Sequence, residues 1–191
     1  MTRKMLLSLL VVGVLGTLAG VGTYAAFSGS TQSSGNRFVA GTVAIGDNDL
    51  DGALYELSAT PQKPGQNVVK CVKVTYTGNL DADVKLYTTS SVNAASQYVN
   101  LTVDKGTSDT STFPNCGTFD SEATIFSGTL KGFADTKNSY DNGIAANPGS
   151  STKWSSGNSL VYRFTLSVQD VTAAQGADTG SHGFTFEARN Q

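Results

Sequence analysis

The sequence predicts an all-β fold of antiparallel sandwich type, on three observations. Apolar and polar residues alternate with period two in segment after segment. Turn residues punctuate those segments. No segment after the first 25 residues sustains a helical period. Strands with one apolar and one polar face suit antiparallel sheets that share a buried side and wet the other.

The elements follow in chain order. Arg3 and Lys4 precede an apolar run, Met5 to Leu18, broken only by Ser8, Gly13, Gly16 and Thr17. Small residues take over at Ala19, Gly20, Gly22, Thr23, Ala25 and Ala26. A positive flank, an apolar core and a small-residue exit make a signal peptide, with cleavage expected between Ala25 and Ala26 by a signal peptidase. The competing reading is a retained anchor, because Met5 to Phe27 is long enough for the roughly 20 apolar residues that a bilayer requires. Any membrane contact is expected only through this uncleaved segment. Ser28 to Arg37 is polar and aperiodic, and Phe38 to Ile45 reads as a strand with Val43 and Ile45 on one parity.

Val68 to Thr77 places Val72, Val74 and Tyr76 on one face and Lys73, Thr75 and Thr77 on the other. Cys71 has the parity of the polar face, so either a bulge shifts it or its partner lies outside the main core. Ala82, Val84 and Leu86 alternate with Asp83, Lys85 and Tyr87, and Val99, Leu101 and Val103 with Asn100, Thr102 and Asp104. The best strand runs from Leu160 to Val168, and the last joins Phe184, Phe186 and Ala188 to Thr185, Glu187 and Arg189. Lys63-Pro64-Gly65 and Gly78-Asn79 are turns. Gly117 to Asn158 is rich in Ser, Thr and Gly, and is expected to mix a strand with irregular excursions.

Removing residues 1–25 from the 191-residue chain leaves 166, one domain's worth, expected as a flexible segment 26–37 and a sandwich domain 38–191. That part carries eleven basic and fifteen acidic residues, net −4. Nucleic acid needs a basic face, so no nucleic-acid partner is expected. The two cysteines, Cys71 and Cys116, both lie in the exported part, and an even count there reads as a disulfide. Closing a loop of 45 residues is worth roughly 3–4 kcal/mol on the chain-entropy model.

Several segments together resemble a known group. These are Gly22-Thr23-Tyr24-Ala25-Ala26-Phe27-Ser28 around the cut, Phe38-Val39-Ala40-Gly41-Thr42-Val43, Lys63-Pro64-Gly65-Gln66, the strand from Lys70 to Gly78, Tyr162-Arg163-Phe164, and Phe184-Thr185-Phe186-Glu187-Ala188. The chain is similar to the TasA/CalY (camelysin) family, exported proteins with a SipW-type signal peptide. The resemblance spans nearly the whole chain, apart from about Gly117 to Asn158. It implies a jelly-roll-like sandwich, secretion, and assembly into extracellular biofilm-matrix fibres or pili. In fibre-forming members the mature N-terminal segment completes a sheet in the next subunit. The partner implied is a second copy or a related fibre subunit. Here Phe27, Phe38, Val43 and Ile45 would be the donor-strand residues. Open edges need such partners, and head-to-tail contacts do not close. The alternative is that Phe38 to Ile45 pairs within its own subunit.

Two other functions have residues to argue from. Asp47-Asn48-Asp49-Leu50-Asp51-Gly52 matches the first half of a calcium loop, with Asp47, Asp49 and Asp51 at alternate positions and Gly52 for the turn. Position 12 is Ser58 rather than Glu and no helix is expected on either side, so the motif reads first as an acidic β-turn between two strands; no cofactor is required, and calcium is the alternative. The camelysin branch also carries the label metallo-endopeptidase. His182 is the single histidine and there is no H-E-x-x-H, whereas catalytic zinc usually takes two or more imidazoles, or imidazoles with a carboxylate. No G-x-S-x-G elbow and no phosphate-binding Gly-rich loop appears. No enzyme is expected, and no catalytic residue is assigned.

Overall fold

Alternating strands can bury their apolar sides only by facing one another, and here two antiparallel sheets do so. A computed structural model describes residues 40–50, 52–55, 62–108 and 112–190. Ala40–Gln191 forms one compact unit. Its strands are β1 (Ile45–Asp47), β2 (Asn67–Tyr76), β3 (Asp83–Tyr87), β4 (Val99–Ser108), β5 (Phe119–Thr129), β6 (Ile144–Ala145), β7 (Ser159–Val168) and β8 (Thr185–Arg189). The larger sheet has the order β1-β2-β7-β4-β5 and the smaller β6-β3-β8. Every pairing is antiparallel. The all-β antiparallel sandwich expected from the alternation is the fold.

The core fills the space between the sheets. Val72, Val74 and Tyr76 of β2, Leu160, Tyr162, Phe164 and Leu166 of β7, and Leu101 and Val103 of β4 supply one side. Val84 and Leu86 of β3 supply the other, with Phe186 and Ala188 of β8 packed against them. Aromatic rings bridge the layers: Tyr162 meets Phe186 at 4.7 Å between centroids and Phe164 meets Phe184 at 4.5 Å. These spacings are those of favourable aromatic pairs. Trp154 is fully buried, and its indole N–H donates to the Ala146 carbonyl at 2.7 Å.

Three local features differ from the alternation or settle what it left open. Residues 40–44 carry no regular strand, and β1 starts only at Ile45. The chain still runs beside the β2–β3 turn. The Ala44 carbonyl accepts from Thr77 and Gly78, and that of Thr42 from Asn79 and Leu80. Two adjacent donors on one carbonyl follow a turn rather than a ladder, which explains the late start.

A helix, α1 (Leu130–Thr136), lies in the region expected to hold only a strand and irregular chain. Seven residues are two turns, too short to register as a period. Thr129 caps it, its hydroxyl accepting from the Gly132 N–H at 3.0 Å. Leu130 and Phe133, one turn apart, are its buried face.

The disulfide joins Cys71 to Cys116 as expected. The β2–β7 register runs without interruption from Asn67↔Ser167 to Thr75↔Ser159. No bulge therefore moves Cys71, and the bond lies on the outer face of the larger sheet.

Candidate functional site

The two sheets leave a seam on one flank. β1 is an edge of the larger sheet, β8 is an edge of the smaller, and the two strands touch there. β1 is three residues long against a ten-residue β2, so most of β2 extends beyond it. Under the seam lies a cavity of about 150 Å³. Val72 and Phe164 line it from the larger sheet, Phe184 and Phe186 from beside and within β8, and Tyr55 and Phe113 from loops. Alternation carries Val72, Phe164 and Phe186 inward, and the short β1 does not reach over the space between them.

One polar contact closes the rim. The Tyr55 hydroxyl lies 2.5 Å from His182 Nε2, and His182 Nδ1 lies 2.8 Å from the Gly180 carbonyl. A carbonyl can only accept, so Nδ1 holds the proton and Nε2 accepts from Tyr55. Burial raises the Tyr55 phenol well above its ordinary range, which keeps it a neutral donor. Both ring nitrogens of His182 are thereby engaged.

The acidic loop forms the neighbouring wall. Asp47 ends β1, and its carboxylate accepts from the Asp49 N–H at 3.3 Å. Asn48 extends the strand by mimicry. Its N–H donates to the Lys73 carbonyl at 3.1 Å, and its side-chain oxygen accepts from the Lys73 N–H at 2.8 Å. The turn closes with the Gly52 N–H on the Asp49 carbonyl at 2.8 Å. Leu50 sits at its tip, left-handed with φ 51° and 91 % exposed. Asp49 faces the cavity.

Of the other sequence-selected residues, Ile45 pairs with Tyr76 of the same chain, and Val43 packs against the core. Ala25, Ala26, Phe27, Phe38 and Asp51 lie outside the described residues. Sequence reading missed Tyr55 and Phe113, which belong to no alternating segment. The parity of His182 with Phe184 was visible, and it places the histidine beside the cavity.

The family profile described as camelysin metallo-endopeptidase matches residues 1–148. A comparison with curated proteins returns no match. The profile's name implies a catalytic metal, and the donors here do not fit one. The single histidine spends both nitrogens on Tyr55 and Gly180, and both cysteines are bonded to each other. Among the described residues no three His, Cys, Asp or Glu side chains come together. The profile match, covering well over half of the 191 residues, makes this chain a member of the camelysin metallo-endopeptidase family.

Proposed function

We propose that this protein is a secreted structural subunit that builds extracellular fibres by lending its N-terminal segment to a neighbouring subunit. The observation that carries the reading is the seam. Among the described residues β8 has a strand neighbour on one side only, and a cavity into which Val72, Phe164, Phe184 and Phe186 project opens beside it. A strand added along such an edge satisfies its unpaired backbone groups, and alternate apolar side chains fill the space beneath. Val43 and Ile45 serve their own subunit in this chain, so the lent portion is residues 26–39, with Phe27 and Phe38 as its anchors. The apolar run and small-residue exit at residues 1–25 support export. Donor chemistry at His182 supports a non-enzymatic role.

Negative-stain electron microscopy of mature residues 26–191 tests this. Regular filaments that disappear when residues 26–39 are deleted are the expected result. Discrete particles with or without that segment, at every concentration tried, overturn it. A peptidase assay is the companion measurement: no turnover is expected, and activity lost in His182→Ala would restore the enzymatic reading.

Calcium binding by Asp47, Asp49 and Asp51 is a second proposal, favoured by the turn that ties Asp47 to Asp49 on the cavity rim. Calorimetric titration decides it. Heat of binding that Asp47→Asn removes supports calcium, and the absence of heat ends the idea.

A further inference from the structure

The outer edge of β2 is occupied beyond β1 by a piece of chain from the other end of the sheet. Ladder geometry identifies which backbone groups face that edge. The Tyr76 N–H goes to the Asn158 carbonyl on the β7 side, whereas the Thr77 N–H goes to Ala44 on the β1 side. Odd-numbered residues of β2 therefore turn their N–H groups outward. That of Lys73 is taken by the Asn48 side chain at 2.8 Å. That of Cys71 is taken by the Pro114 carbonyl at 3.0 Å.

Pro114 belongs to the β4–β5 connection, which has to pass β7 to reach β2. Its residues 112–116 grip the β2 edge from both sides. Phe113 lies in the cavity with Val72, on the inner face. Cys116 is bonded to Cys71, whose parity is the outer face. The Pro114 carbonyl sits on the edge between them. The Ser108 hydroxyl secures the segment by donating to the Cys116 carbonyl at 2.9 Å, and the Asn115 N–H closes a turn on Thr112 at 2.7 Å. Val69, the next odd residue and 43 % exposed, lies past the grip.

We propose that residues 112–116 are an edge guard, latched by the Cys71–Cys116 bond, that prevents strand addition to β2. Opening the latch exposes the edge from Val69 to Cys71 to the same edge of a second copy. Two antiparallel edges related by a two-fold axis pair with themselves, so the occupant needs no other sequence. The opening step is reduction by a dithiol. Two electrons and two protons convert the bond to two thiols, and the dithiol becomes its own disulfide. This inference does not rest on the fibre reading, because the N-terminal segment is present in every sample compared.

The test is hydrogen–deuterium exchange of the mature protein carrying Val69→Lys, whose edge cannot pair again with a second copy, followed on peptides covering residues 67–73 and 159–166, with sedimentation of the unsubstituted protein beside it. Reduction is expected to speed exchange in the first peptide at least tenfold and to leave the second within about twofold. A sedimenting species is expected to appear with it and to vanish in Val69→Pro. That N–H faces outward, so proline removes no bond to β7. Val69→Lys, a charged edge residue, replaces it if proline unsettles the strand. Cys71→Ala/Cys116→Ser supplies the open state without reductant. Unchanged exchange after reduction overturns the proposal. So does joint loss of protection in both peptides, which would make the bond a staple of the whole fold. Association that is absent, or indifferent to position 69, overturns it as well.

Discussion

Asp104 shows what a single residue can hide. Its alternation partner set, Asn100 and Thr102, reads as a wet face, yet Asp104 is 5 % exposed. Arg163 grips one carboxylate oxygen with Nε at 3.2 Å and a terminal nitrogen at 2.8 Å, and the Thr124 hydroxyl donates to the other at 2.5 Å. Arg163 also lies over the Phe119 ring at 4.4 Å. Cys71 and Val161, both on outward parity, are buried too. Period two says which side of a strand faces the core. It does not say whether a loop will fold over the other side, because that depends on contacts distant in sequence. A charge-assisted bond in a dry setting contributes about 1.5–3 kcal/mol. Asp104→Ala is therefore expected to cost about 2–3 kcal/mol in urea unfolding, since it leaves the guanidinium without its carboxylate. An exposed control, Asp170→Ala, is expected to stay within about 0.5 kcal/mol.

At the scale of elements, the strands were legible and the helix was not. Five of the alternating segments became β2, β3, β4, β7 and β8, with ends displaced by a few residues, whereas the segment expected from Phe38 to Ile45 shares only Ile45 with β1. Helix α1 escaped because two turns make no period, and its meaning is tertiary. Phe133 is fully buried, edge-on to Phe126 at 5.0 Å and to Phe184 at 5.4 Å. Truncating such a side chain removes its transfer energy and leaves a cavity. Phe133→Ala is expected to cost about 3–5 kcal/mol by denaturant unfolding. The loss of the cap in Thr129→Ala is expected to cost about 1 kcal/mol.

The β3–β8 pair carries its own pH dependence. Arg189, bonded to Glu187 at 2.6 Å, and then the Tyr87 hydroxyl, also at 2.6 Å, hold the Glu187 carboxyl below its usual range. The same bond to Glu187, with burial, raises the Tyr87 phenol. A lowered carboxylate stabilises the fold above the ordinary carboxylate value of about 4.3, and the gain is lost as pH falls through the lowered one. A raised phenol stabilises below its ordinary value of about 10, and the gain is lost as pH rises through the raised one. The pair thus supports the fold between about pH 5 and pH 10. Solvent screening keeps each effect to a few tenths of a kcal/mol. Tyr87→Phe is expected to shrink the alkaline limb of the stability profile only in part, because burial also raises the phenols of Tyr55, Tyr76, Tyr140 and Tyr162, and to shrink the acid limb only in part, because Arg189 remains.

For the whole molecule, the seam is the feature that sequence could not locate. Alternation foretold a sandwich, but a five-and-three partition of strands is set by long-range pairing, and only that partition leaves β8 beside the cavity. It also sets where the folded body starts. The core draws on Val43 and Ile45 but, among the described residues, on nothing earlier, and the compact unit begins at Ala40. Two deletions from the mature chain should therefore part company. Loss of residues 26–39 removes no described core contact and is expected to move the unfolding midpoint by less than about 2 °C. Loss of residues 26–45 also removes Val43, Ile45 and the pairing of Ile45 with Tyr76. A fully buried aliphatic side chain is worth about 1.5–3 kcal/mol and these two are partly buried, so the longer deletion is expected to lower the midpoint by about 5 °C or more. Differential scanning calorimetry on both variants checks this. The shorter deletion then isolates assembly from folding: filaments absent at an unchanged midpoint assign the lost segment to the neighbour, whereas a fall as large as that of the longer deletion assigns it to its own subunit.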